Sequence, residues 1–83
     1  MIEIWATSSC NYCKAAKKVA EDYALRYEYI LVDDDQELQK RFKTLFPNAK
    51  TVPQITWGGD YIGGYTEFLN EIENTRNYGD GQL

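Results

Sequence analysis

The chain has 83 residues, 43% of them hydrophobic and 14% aromatic, with nine Lys and Arg against thirteen Asp and Glu, no histidine and a formal net charge of −4. That size allows one domain around one compact core, and the composition is that of a folded globule. The scattered cations argue against a nucleic-acid partner, which needs a dense basic face, and no apolar run reaches the roughly 20 residues that span a bilayer.

Ile2 to Ala6 is short and rich in β-branched and aromatic residues, which predicts a strand stopping at the polar Thr7-Ser8-Ser9. From Asn11 to about Arg26, Tyr12, Ala16, Val19 and Tyr23 recur at helical spacing, with Lys14, Lys17, Lys18, Glu21 and Asp22 on the other faces. Tyr27 to Val32 alternates and then runs apolar, as a strand buried on both faces in a parallel pair would. Asp33-Asp34-Asp35 supplies N-cap candidates, with Glu37 three residues after Asp34 as in a capping box, and Leu38, Phe42, Leu45 and Phe46 mark one face of a second helix closed by Pro47.

Pro53 to Trp57 and Asp60 to Ile62 flank Gly58-Gly59, the pattern of a hairpin. Past Gly63-Gly64, Thr66 is an N-cap candidate for a third helix reaching about Asn74, with Phe68, Leu69 and Ile72 on one face. The order βαβ-α-ββα predicts an α/β, thioredoxin-like fold, a four-stranded mixed sheet with three helices. Residues 1–74 form the expected domain, and residues 75–83, without periodicity and with two glycines, read as a frayed tail. Met1 leads straight into a strand-like segment without the pattern of a signal peptide, so the expected location is the cytoplasm.

Cytoplasmic thiols stay reduced, so a close pair of cysteines there suggests reactive or metal-binding sulfur. Cys10-Asn11-Tyr12-Cys13 lies where a strand ends and a helix begins, which sets Cys10 at the first free amides of that helix and favours its thiolate. Lys14 and Lys17 add positive charge within about a turn. Cys10 is therefore the expected nucleophile, and Cys13, nearly one turn on, the thiol that resolves the mixed disulfide. A zinc site lacks its further Cys or His ligands, and Lys14 in place of histidine breaks the c-type haem pattern. An inert pair stays open on these residues alone.

Three stretches change that balance. Cys10-Asn11-Tyr12-Cys13, Thr51-Val52-Pro53-Gln54-Ile55 and Ile62-Gly63-Gly64-Tyr65-Thr66-Glu67-Phe68 resemble, in order and spacing, the signature segments of dithiol glutaredoxins. The resemblance runs from about Ile2 to Ile72. It implies a cis bond before Pro53 and a glutathione site made by Tyr12, Thr51, Val52, Pro53, Tyr65, Thr66 and Glu67. Val52 would pair through its backbone with the cysteine of glutathione, and the backbone amides of Thr66 and Glu67, at a helix start, would receive the γ-glutamyl carboxylate. Tyr12 and Tyr65 would flank the bound peptide, although aromatic filling of a small core explains them too. Gly63-Gly64 would let the chain pass close to the tripeptide or would serve only as a hairpin exit.

Two positions depart from the family pattern. Asn11 stands where proline is usual, and Thr7 stands where Lys or Arg often holds the glycine carboxylate, a task open here to Lys14 or Lys50. The resulting expectation is a monomeric, glutathione-dependent thiol–disulfide oxidoreductase acting on protein disulfides and glutathione mixed disulfides, with glutathione as reductant and no resident metal. Ribonucleotide reductase is a family-level substrate. Two alternatives accompany it: a module carrying an iron–sulfur cluster between two subunits, ligated by Cys10 and glutathione, and an electron donor reduced by thioredoxin reductase.

Overall fold

Alternation along the first strand sets the layers of the molecule. In the computed structural model, which describes the backbone of residues 1–81 and the side chains of residues 1–74, strand β1 (Ile2–Ala6) buries Ile2, Ile4 and Ala6 in one core cluster and Trp5 in another. Successive strand side chains point to opposite faces, so these clusters lie on the two sides of the sheet. Helix α1 (Asn11–Asp22), β2 (Tyr27–Leu31), α2 (Gln36–Leu45), β3 (Gln54–Trp57), β4 (Asp60–Gly63) and α3 (Tyr65–Gly81) follow. The strand order is β2-β1-β3-β4, with β1 parallel to β2 and antiparallel to β3, and β3 antiparallel to β4. This is the expected mixed sheet with three helices.

On one face Ile2, Ile4, Ala6 and Ile55 meet Cys13, Ala16 and Ala20 of α1 and Phe68 and Ile72 of α3. On the other, Trp5 meets Val32, Phe46 and, from α2, Leu38 and Phe42. The Trp5 ring lies 6.4 Å from that of Phe42 and 5.9 Å from that of Phe46, centroid to centroid. Gly58 and Gly59 turn the hairpin with φ of +60° and +90°, the left-handed conformations that a tight two-residue turn requires.

Several expected boundaries and faces are corrected. The buried stripe of α1 is Cys13, Ala16 and Ala20, while Tyr12 and Tyr23 are 66% and 43% exposed. Small side chains let the helix lie close on the sheet, and the aromatic rings move to its rim. Helix α1 also ends at Asp22, short of Arg26: Ala24 adopts φ +56°, and the N–H groups of Ala24 and Leu25 bond back to the carbonyls of Glu21 and Ala20. Strand β2 is an edge strand with Glu28 exposed and its other residues half-buried, so its apolar run is not enclosed.

The cap of α2 is Asp35 and not the Asp34–Glu37 box, because Asp35 has the extended backbone and its carboxylate accepts from the N–H groups of Glu37 at 2.8 Å and Leu38 at 3.4 Å. Leu45 is 52% exposed, and Phe46, just past the helix, takes the buried place. Thr66 does not cap α3. The helix starts one residue earlier at Tyr65, and Glu67 Oε1 accepts the Gly64 N–H at 2.9 Å, half of a capping box. Helix α3 continues to Gly81, past the expected end of the domain near Asn74, since a stretch without apolar period gives the sequence pattern nothing to register. Gln82, Leu83 and the side chains from Thr75 onward lie outside the described residues, and with them the expectation of a frayed tail. Among the described residues no helix is long and apolar enough to cross a membrane.

Candidate active site

Strand β1 delivers the chain through Thr7–Ser9 to Cys10, which is the N-cap of α1 with φ −91° and ψ 116°. Its Sγ accepts the Cys13 N–H at 3.0 Å. The two sulfurs are joined as a disulfide with the Cα atoms 5.2 Å apart, a separation ordinary for such a bond. Cys13 is fully buried and Cys10 only partly so. The sulfur that an outside reagent reaches is therefore Cys10, and a thiolate there keeps the amides of the first helical turn as donors.

The second expected stretch comes to the same sulfur. The Val52–Pro53 bond is cis, and Cys10 Sγ lies 3.7 Å from the Val52 carbonyl oxygen across 42 residues of sequence. Gln54, 5% exposed, braces this loop: its Nε2 donates to the Thr51 carbonyl at 2.8 Å and its Oε1 accepts from the Tyr61 hydroxyl. The third stretch closes the far wall. A groove of about 330 Å³ is lined by Tyr12, Thr51, Val52 and Pro53 on one side and by Gly64, Tyr65, Thr66 and Glu67 on the other. The rings of Tyr12 and Tyr65 stand 5.7 Å apart.

All seven residues expected on the glutathione side thus line one cleft, and Gly64 joins them. At its α3 end the first helical bond runs from the Phe68 N–H to the Gly64 carbonyl, so the amides of Tyr65, Thr66 and Glu67 have no intrahelical acceptor. Such a cluster of free amides suits an anion.

The expected cations are elsewhere. Lys17 Nζ stands 5.2 Å from the centroid of the Tyr29 ring, and Lys14, Lys17 and Lys18 line a separate groove with Ser8, on a face of α1 away from Tyr12. None of Lys14, Lys50 and Thr7 lines the cleft between Tyr12 and the start of α3. Burial pushes the Tyr29 hydroxyl up from its ordinary value. Among the described residues no group of three or more His, Cys, Asp or Glu is arranged to hold a metal ion.

Two contributors escaped the sequence reading. Gln54 has no role that its place in the sequence reveals, since its partners Thr51 and Tyr61 come together only once the hairpin is folded. Asp33, one of three N-cap candidates in the sequence, instead accepts through its carboxylate from the Ser8 N–H at 3.1 Å and the Ser8 hydroxyl at 2.6 Å. Those two bonds hold the Asp33 carboxyl below the usual aspartate range.

Known proteins resemble this chain in sequence and in fold. The family model described as Glutaredoxin matches residues 2–62, well over half of the chain, ending just before α3. Glutaredoxin-1 of Ectromelia virus (strain Moscow) is 29% identical over 85 residues, covering 95% of this chain and 77% of the viral protein. Mitochondrial glutaredoxin-2 of Rattus norvegicus is 32% identical over 65 residues, covering 76% of this chain but only 41% of the rat protein. Among solved structures, a buckwheat glutaredoxin–glutathione complex superposes with a TM-score of 0.80 at 22% identity, covering 94% of this chain and 73% of that one. Reduced Escherichia coli glutaredoxin superposes with a TM-score of 0.78 at 27% identity, covering 92% and 96%.

Proposed function

The chain belongs to the glutaredoxin family and is a thiol–disulfide oxidoreductase, and from that premise we propose that it is glutathione-dependent, reducing glutathione mixed disulfides and protein disulfides. The observation that carries this reading is the single cleft beside Cys10 that gathers Tyr12, Val52 and Pro53 with the free amides at the start of α3. The solved buckwheat relative is a glutathione complex with the same fold.

In the proposed reaction the Cys10 thiolate attacks the glutathione sulfur of a mixed disulfide, forming a Cys10–glutathione disulfide and expelling the substrate thiolate, which takes up a proton. A second glutathione thiolate then attacks the glutathione sulfur of that adduct, releasing oxidised glutathione and restoring the Cys10 thiolate. On a protein disulfide, Cys10 instead bonds one substrate sulfur, and Cys13 attacks Cys10 Sγ, freeing the reduced substrate and leaving the Cys10–Cys13 disulfide. Two glutathiones return that disulfide to the dithiol. Burial of Cys13 suits it to the internal step, where proximity replaces access.

The γ-glutamyl carboxylate rests on the amides of Thr66 and Glu67, the Val52 backbone pairs with the tripeptide, and Tyr12 and Tyr65 flank it. The protein works as a monomer, in a reducing compartment such as the cytoplasm, where glutathione can turn it over.

The test is turnover of a glutathionylated peptide with glutathione as sole reductant. Cys10→Ser is expected to abolish turnover, and Cys13→Ser to retain it through Cys10 while losing protein-disulfide reduction. Undiminished turnover by Cys10→Ser, or turnover by the wild type only when thioredoxin reductase is supplied, overturns the reading.

A further inference from the structure

The backbone ladder between β1 and β2 ends where Val32 N–H donates to the Ala6 carbonyl at 2.9 Å. One step beyond, where the two chains diverge, a side chain continues the connection: a single Asp33 carboxylate oxygen takes both the N–H and the hydroxyl of Ser8. Ser8 is two residues before the nucleophile, in the turn that the Cys10 N–H closes by donating to the Thr7 carbonyl at 3.4 Å. Asp33 is not occupied in capping α2, since Asp35 does that.

We infer that Asp33 is a positioning residue for Cys10, holding the Thr7–Ser9 turn so that the sulfur stays over the first amides of α1. The inference rests on Cys10 being the nucleophile of the proposed function. Cys10 must keep its extended backbone for Sγ to face the Cys13 N–H. A turn released from Asp33 lets Cys10 leave that geometry, the thiolate loses its donors, and the thiol holds its proton to higher pH. Two donors on one charged oxygen make a directional tie. Because the tie is solvent-exposed, breaking it changes reactivity more than stability.

The charge of Asp33 acts in the opposite direction, since a nearby carboxylate disfavours a thiolate. Asp33→Asn and Asp33→Ala remove the same charge, but the Asn amide oxygen can still accept from Ser8 and Ala cannot. The difference between these two variants isolates the tie.

The experiment measures the pH dependence of iodoacetamide alkylation of Cys10 in the full chain, in a Cys13→Ser background so that one thiol titrates. Relative to Asp33→Asn, Asp33→Ala is expected to alkylate about tenfold more slowly at pH below the thiol pKa, a shift of about one unit. Ser8→Ala, which leaves the charge in place, is expected to slow alkylation against the parent, and Ser8→Thr, which keeps the hydroxyl, to restore it. Equal rates for Asp33→Asn and Asp33→Ala, together with an unchanged Ser8→Ala, overturn the inference, as does a loss of melting temperature with no change in the alkylation profile. Alkylation needs no glutathione, so an intact Asp33 effect beside absent glutathione turnover would refute the proposed function alone.

Discussion

Asn11 occupies the first position of α1, directly after a Cys10 whose φ of −91° and ψ of 116° are those a following proline demands. Proline at that helical position removes an amide that has no intrahelical partner and restricts the unfolded chain. Asn11→Pro is therefore expected to stabilise the protein by about 0.4 to 1 kcal/mol, raising the melting temperature by about 2 to 8 °C in a domain of this size. A calorimetric scan that shows a drop would mean that the Asn11 N–H or side chain is used in a way the fold does not reveal. The same residue illustrates a limit of motif comparison: it departs from the family pattern, yet the backbone around it retains the conformation that the usual proline would impose.

At the scale of elements, the join between β4 and α3 is the most constrained. Gly63 has φ +127°, and a Cβ built there would lie 2.9 Å from Glu67 Cγ and 3.0 Å from Glu67 Cβ. Its glycine is thus required twice, by conformation and by the close approach of the side chain that caps α3. Gly63→Ala is expected to cost about 1 to 3 kcal/mol through strain at that backbone and to push the Glu67 carboxylate off the Gly64 N–H. A thermal melt is expected to fall by about 5 °C or more, and an unchanged melt would show the join to be looser than its geometry. The close approach at Gly63 is thus to the protein's own Glu67, and its positive φ lies where β4 leaves the hairpin for α3.

The order of elements was legible because each apolar run carried its own period and its own stop, such as Pro47 after α2 or Gly58-Gly59 between β3 and β4. Which face each helix buries was less so. In α1 the sequence pattern places the large Tyr12 and Tyr23 with Ala16 and Val19, while packing buries Ala16 with Cys13 and Ala20 and leaves both rings exposed. The core of the site was legible for a different reason: Cys10 and Cys13 are three positions apart, at the cap and in the first turn of one helix, and the cleft residues sit in recognisable motifs. Contacts such as Ser8 with Asp33, 25 residues apart, carry no local pattern at all. They follow from which strand ends meet, which is a property of the assembled sheet.

At the scale of the whole molecule the margin is narrow. A domain of this length nets about 4 to 12 kcal/mol of stability, and Phe68 is a fully buried ring at the meeting of α3 with the sheet, 5.9 Å from that of Trp57. Phe68→Ala is expected to cost about 3 to 5 kcal/mol and to lower the urea midpoint by about 2 M or more. A shift under about 0.5 M would mean that α3 contributes little to the core. Because α3 also presents the amides of the cleft, its packing and its ligand geometry stand or fall together.

The open margins of the sheet have a consequence for life at high protein concentration. Unpaired strand edges invite other chains to zipper on, and natural sheets deter this with charge, short length and irregular register. Strand β2 exposes Glu28, the second of its five residues, and β4 is four residues long and meets β3 through a register shift beside Ile55 and Thr56. A protein that must leave a cleft and a reactive sulfur uncovered is thereby guarded at both margins of its sheet against fibrous self-association.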